Sequence, residues 1–71
     1  MNEYKLFIRE VRKQMAVQNM TQAAVANQLQ IDRATLNQQL AGVREMRASV
    51  AFGLARILGI SLDKIMEEAQ K

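Results

Sequence analysis

Arg33, Asn37 and Gln38 are spaced so that, on a helix, three strong hydrogen-bonding side chains share one exposed arc. A guanidinium is a planar fork of donors, and a carboxamide carries a donor beside an acceptor. These shapes match paired atoms on nucleobase edges: Arg with guanine, Asn or Gln with adenine. That chemistry is recognition rather than bond making. The rest of the composition agrees, because the chain has no histidine and no cysteine. The commonest general base, the commonest metal ligand and any thiolate cluster are therefore missing. The adjacent carboxylates Glu67 and Glu68 diverge on a helix, and no glycine-rich loop could cradle a phosphate. A substrate pocket of several hundred cubic ångströms is hard to fit into so short a chain. The expectation is a protein that is not an enzyme, with no metal, no cofactor and no evident small-molecule ligand.

Such side chains need an element that holds them outward. Tyr4, Phe7, Ile8, Val11 and Met15 recur every three or four residues and predict an amphipathic helix over 3–18. Asn19-Met20 interrupts it. Thr21 is a good N-cap for a second helix bearing Val25, Ala26 and Leu29 on one face. After a break at Gln30-Ile31, Asp32 is placed to cap a third helix running to about Ala41. There Leu36 and Leu40 turn inward, while Arg33, Ala34, Asn37, Gln38 and Ala41 face out. Gly42 suits the left-handed residue that ends it. A fourth helix spans about 48–58, with Ala51, Leu54, Ala55 and Leu58 inward, and Gly59 closes it. Ser61 caps a fifth, from Leu62 to about Ala69. Proline is absent, so none interrupts a helix interior. The fold class predicted is all-α, a compact five-helix bundle forming a single domain over residues 1–71.

Helices two and three are joined so tightly that they must cross steeply, leaving the third free to project. A projecting helix fits the major groove of B-DNA, where each base pair shows a distinct donor and acceptor pattern. The amino end of helix two, Thr21 to Ala24, offers backbone N–H groups and a positive dipole end that attract phosphate, and Gln22 adds an amide. Thr21, like Asp32 and Ser61, also has the simpler role of a cap. Arg44 and Arg47, just after helix three, are placed to meet the same strand further along.

Charge is distributed to match. The net charge is +3, and through Arg56 eight basic side chains face four acidic ones, whereas from Ile57 onward there are two basic and three acidic. That bias suits a polyanion, although a charge this small is weak support alone. No apolar run nears the roughly 20 residues of a membrane span, and Met1-Asn2-Glu3-Tyr4-Lys5 lacks the order of a signal peptide. A soluble protein in the cytoplasm of a bacterial or phage-infected cell, without a membrane partner, is expected.

Met20-Thr21-Gln22, Val25-Ala26, Leu29, Ile31, Leu36, Gly42 with Arg44, and Ala55 with Leu58-Gly59-Ile60-Ser61-Leu62-Asp63 form an ordered set. Across residues 15–66, without a gap, this set resembles the Cro/repressor, or Xre, helix-turn-helix family. The resemblance implies a lambda-repressor-like DNA-binding domain with its helix-turn-helix at about 21–41. By the same resemblance Gln22 contacts phosphate and nearby base edges, Arg33, Ala34, Asn37 and Gln38 face the bases, and the stretch around Val43 and Arg44 follows the backbone. Taken as a whole protein, a chain of this length is expected to resemble small phage Cro-like regulators more than two-domain repressors. Two departures stand out. Met15 and Leu40 occupy positions where several members pair an arginine with a glutamate; an apolar pair can replace a buried ion pair without loss. Gln39 stands where an apolar residue is common, and Leu40 is expected to take over its packing.

The function implied is sequence-specific binding of a double-stranded operator by a transcriptional regulator, a repressor where the site overlaps a promoter. The resemblance further implies a homodimer, formed in solution or only on DNA. Phe52, Ile60, Leu62 and Ile65 are the expected dimer surface, since with Met66 they exceed what a small core hides. The competing reading is an antitoxin-like or adaptor module that keeps the helix-turn-helix shape and holds a protein partner on the same apolar side chains.

Overall fold

A computed structural model describes residues 2–70. Five helices follow one another: α1 (Glu3–Val17), α2 (Gln22–Leu29), α3 (Arg33–Leu40), α4 (Ala48–Leu58) and α5 (Leu62–Ala69). Their starts follow local chemistry. Thr21 Oγ1 accepts from the Ala24 N–H at 3.1 Å, and Ser61 Oγ accepts from the Lys64 N–H at 3.3 Å. Asn2, which the periodicity did not single out, caps α1 by accepting from the Lys5 N–H at 2.8 Å. Asp32 departs from expectation. It occupies the N-cap position of α3, yet its carboxylate caps no backbone group. Oδ2 instead accepts from the Thr35 hydroxyl at 3.3 Å.

Four of the helices end alike. Asn19, Gln30, Gly42 and Gly59 take left-handed backbone angles just past α1 to α4. In each case the next N–H reaches back to a carbonyl of the last turn: Met20 to Met15, Ile31 to Ala26, Val43 to Gln38 and Ile60 to Ala55. This closure satisfies carbonyls that a helix end would otherwise orphan, and it favours an apolar residue next in the chain. Met20, Ile31 and Ile60 accordingly pack against the core. Val43 does not, and is 78% exposed.

Phe7, Val11 and Met15 of α1 meet Val25 and Ala26 of α2, Leu36 and Leu40 of α3, and Val50, Leu54, Ala55 and Leu58 of α4 in one core. Met15 and Leu40 are both buried there, so the expected apolar pair is accommodated. α2 packs on α3 and α4, and α1 on α4 and α5. Gly53 permits the α2–α4 approach, since a Cβ there would lie 2.5 Å from Leu29 Cδ2. α5 has no fully buried residue, and Leu62 and Ile65 cover the core edge only in part.

α1 also secures the far end of α3. The Tyr4 hydroxyl donates to the Gln39 carbonyl and Arg12 Nη2 to the Leu40 carbonyl, each at 3.1 Å. Helix C-termini leave carbonyls unpaired and carry negative dipole charge, so a guanidinium suits that end. Gln18 does the same for α4, donating to the Leu58 carbonyl at 2.8 Å.

Candidate nucleic-acid interface

α3 is anchored from within by Leu36, Leu40 and Gln39, all buried. Arg33, Ala34, Asn37 and Gln38 are all exposed on its outer arc. At 3.6 residues per turn, Arg33 and Asn37 lie together, Ala34 lies beside them, and Gln38 falls between Ala34 and Thr35. The side chains expected to face a groove are thus turned to solvent.

The start of α2 completes one side of this surface. Thr21, Gln22 and Ala23 join Arg33, Ala34 and Asn37 around a shallow, open depression. Thr21 spends its hydroxyl on the Ala24 N–H. Of the amides expected to be free here, Ala24's is therefore claimed, leaving those of Gln22 and Ala23 for an outside acceptor. Gln22 is half-buried against the depression, which limits its conformations more than those of a free surface amide.

Arg44 and Arg47 are exposed and lie on the other side of α3. They do not join the first depression. With Thr35, Gln39, Glu45 and Ser49 they line a second one, between the inner flank of α3 and the start of α4. Arg44 is tethered rather than loose: Nη1 donates to the Thr35 hydroxyl at 3.3 Å, and that hydroxyl donates to Asp32. The carboxylate that leaves the α3 backbone uncapped is thus the end of a chain that holds Arg44 close to the helix.

Gln39 answers the question its position raised. It is 4% exposed, so Leu40 has not displaced it from the interior, and both are buried. Its Oε1 has no hydrogen-bond partner. An unsatisfied buried polar atom costs about 1–3 kcal/mol, a cost that a leucine would avoid. Thr35, which lines the second depression, was not singled out from the sequence, since a threonine within a polar helix reads as ordinary surface; Gln39 was noted only as a polar residue at a commonly apolar position.

The four side chains expected at a dimer surface divide. Phe52 is 61% exposed on the outer face of α4, and Met66 on α5 is 53% exposed. Ile60, Leu62 and Ile65 are half-buried against their own core. Much of the apolar excess read in the sequence is therefore covered within one chain.

Comparison with known proteins adds one match. The helix-turn-helix family model matches residues 8–65, which span most of α1 and all of α2, α3 and α4. No curated protein and no solved structure matches the chain. A family match over this length, with α3 standing outward beside the start of α2, places the chain in the Cro/Xre-type helix-turn-helix family of DNA-binding regulators.

Proposed function

We propose that the protein is a sequence-specific repressor that binds a pseudo-palindromic operator as a dimer. The observation that carries this reading is the outward arc of α3, where Arg33, Ala34, Asn37 and Gln38 are free to meet base edges. The amino end of α3 enters the major groove. Arg33 pairs with O6 and N7 of a guanine, Asn37 or Gln38 with N6 and N7 of an adenine, and the Ala34 methyl lies against a thymine methyl. Gln22 and the first amides of α2 hold a phosphate on one flank, and Arg44 and Arg47 hold the strand on the other. Those contacts fix docking, while the α3 side chains discriminate.

Size supports a dimer: the longest extent is 34 Å, about one turn of B-DNA, and among the described residues α3 is the helix turned outward in this way. Two copies related by a two-fold axis would set their reading helices roughly 34 Å apart in successive major grooves. Phe52 is the exposed apolar side chain best suited to the contact between them. A bound pair covering a promoter excludes polymerase.

Selection from a random duplex pool, with sedimentation of the selected complex, tests this. A two-fold symmetric motif bound by two chains is expected. A lone half-site bound by one chain would remove the dimer. No enriched sequence, together with salt-insensitive capture of a protein through Phe52, would replace this reading with the interaction module.

A further inference from the structure

α1 carries a positive face that DNA docking through α3 does not use. Lys5, Arg9, Arg12 and Lys13 stand against Glu3 and Glu10, so this helix holds two of the net three positive charges. At 3.6 residues per turn the four cations fall within an arc of about 100°, turned away from the buried Phe7, Val11 and Met15. Both carboxylates lie outside that arc. All four cations are exposed, and among the described residues Arg12 is the one with a side-chain hydrogen bond, to the Leu40 carbonyl. Beside this face, α1 and α5 enclose a groove of about 550 Å3, within the size range of clefts that seat ligands. Its floor is apolar, formed by Leu6, Ile60 and Ile65, each half-buried. Arg9 and Lys13 stand on one wall and Lys64 on the other. Glu10 and Glu68 line it too, but Glu10 accepts from Gln14 Nε2 at 2.9 Å and is engaged along its own helix. None of these residues lines either depression beside α3, so the two surfaces are separate.

We propose that this groove docks an acidic peptide segment of a protein partner. Its carboxylates meet Arg9, Lys13 and Lys64, and an apolar side chain lies on Leu6, Ile60 and Ile65. Charge complementarity selects the occupant. With Lys5 and Arg12 on the adjoining crest of α1, five cations stand against the two carboxylates of the groove. A basic or neutral segment would leave that excess uncompensated. A nucleic-acid strand would satisfy the cations, but a phosphate backbone sets nothing apolar on the floor. A second copy is disfavoured, because a two-fold contact through this groove would bring the positive faces of both α1 helices together. Exposed charge pairs contribute little singly. The apolar floor therefore supplies the hold, and the cations choose the partner.

In the test, a random peptide library displayed on phage is selected on wild type, and the enriched sequences are remade as labelled peptides. Fluorescence anisotropy then compares wild type with two double variants, Lys13→Glu with Lys64→Glu and Lys13→Gln with Lys64→Gln. Urea denaturation checks that each is folded, and backbone amide NMR maps the peptide on wild type. An acidic residue is tolerated in the first turn of α5, and the glutamine pair serves if charge reversal weakens folding. Enriched peptides should combine acidic residues with at least one apolar residue. Their affinity should fall about tenfold on charge reversal and less with the glutamine pair. Amide shifts should lie in α1 and α5. No enrichment, enriched peptides without negative charge, equal affinity of the folded variants, or shifts centred on α3 would overturn the proposal. So would an unselected duplex that shifts the same amides and displaces the peptide, which would assign the groove to nucleic acid. Dimers that the peptide splits, seen by sedimentation, would assign it to a second copy.

Discussion

Arg33 and Arg44 are both exposed guanidinium groups beside α3, but their surroundings give them different work. Arg33 sits on the first turn of α3 within the depression shared with Gln22 and Asn37. In the proposed complex a fork there would read one base pair. Arg33→Ala should therefore cost ~1–3 kcal/mol of discrimination at a single position. Competition binding on matched and base-substituted duplexes measures it, and unchanged discrimination would take Arg33 off the reading face. Arg44 is held by the Thr35 hydroxyl, itself tied to Asp32. Thr35→Val preserves shape and removes both links. We expect it to weaken binding a few-fold, and a double-mutant cycle with Arg44→Ala should be non-additive, because the two changes remove one unit. Full additivity would mean that Thr35 does not position Arg44. Of these residues, Arg33's place on the outward arc was legible from type and spacing. Thr35 was not, because its partner lies nine residues away across a loop.

At the scale of the element, α2 and α3 keep their relative angle through the residues between them. Gln30 adopts φ 59°, a conformation that costs a residue with a Cβ roughly 1–2 kcal/mol. The helix-turn-helix thus carries strain at its turn where α3 and α4 use glycine. Gln30→Gly should raise unfolding free energy by up to about 1 kcal/mol, the relief being partly offset by a more flexible unfolded chain. Urea denaturation measures it, and affinity for DNA should not change because Gln30 lines neither depression. A loss of stability would show that the glutamine side chain contributes more than its backbone costs. The ends of α2, α4 and α5 were readable because caps act within a few residues. The end of α3 was readable only in part. Gly42 marked its stop, but the hydrogen bonds from Tyr4 and Arg12 to its last carbonyls span 35 and 28 residues.

For the whole molecule, charge and shape set how tightly any duplex is held. Affinity that rests on three to five phosphate contacts per subunit should fall as salt rises. The expected slope of log K against log salt is roughly −2.7 to −4.5 for each chain bound. Fluorescence anisotropy over a potassium chloride series gives that slope directly. A slope near zero would argue for contacts that are apolar rather than electrostatic, as the interaction-module reading requires. Among the described residues no helix is long and apolar enough to cross a membrane. Phe52 is exposed on α4, and the proposed dimer would cover it.

From composition and periodicity alone come the all-helical class, the five elements and the outward arc of Arg33, Ala34, Asn37 and Gln38. Amphipathic spacing, caps and left-handed stops are short-range effects written into neighbouring residues. Folding in three dimensions decided the rest. It buried Gln39 with Leu40, turned Ile60, Leu62 and Ile65 toward their own core, and separated Arg44 and Arg47 from the depression that holds Arg33. Each of these outcomes depends on which distant helix lies alongside, and burial is a property of that packing rather than of any local run of residues.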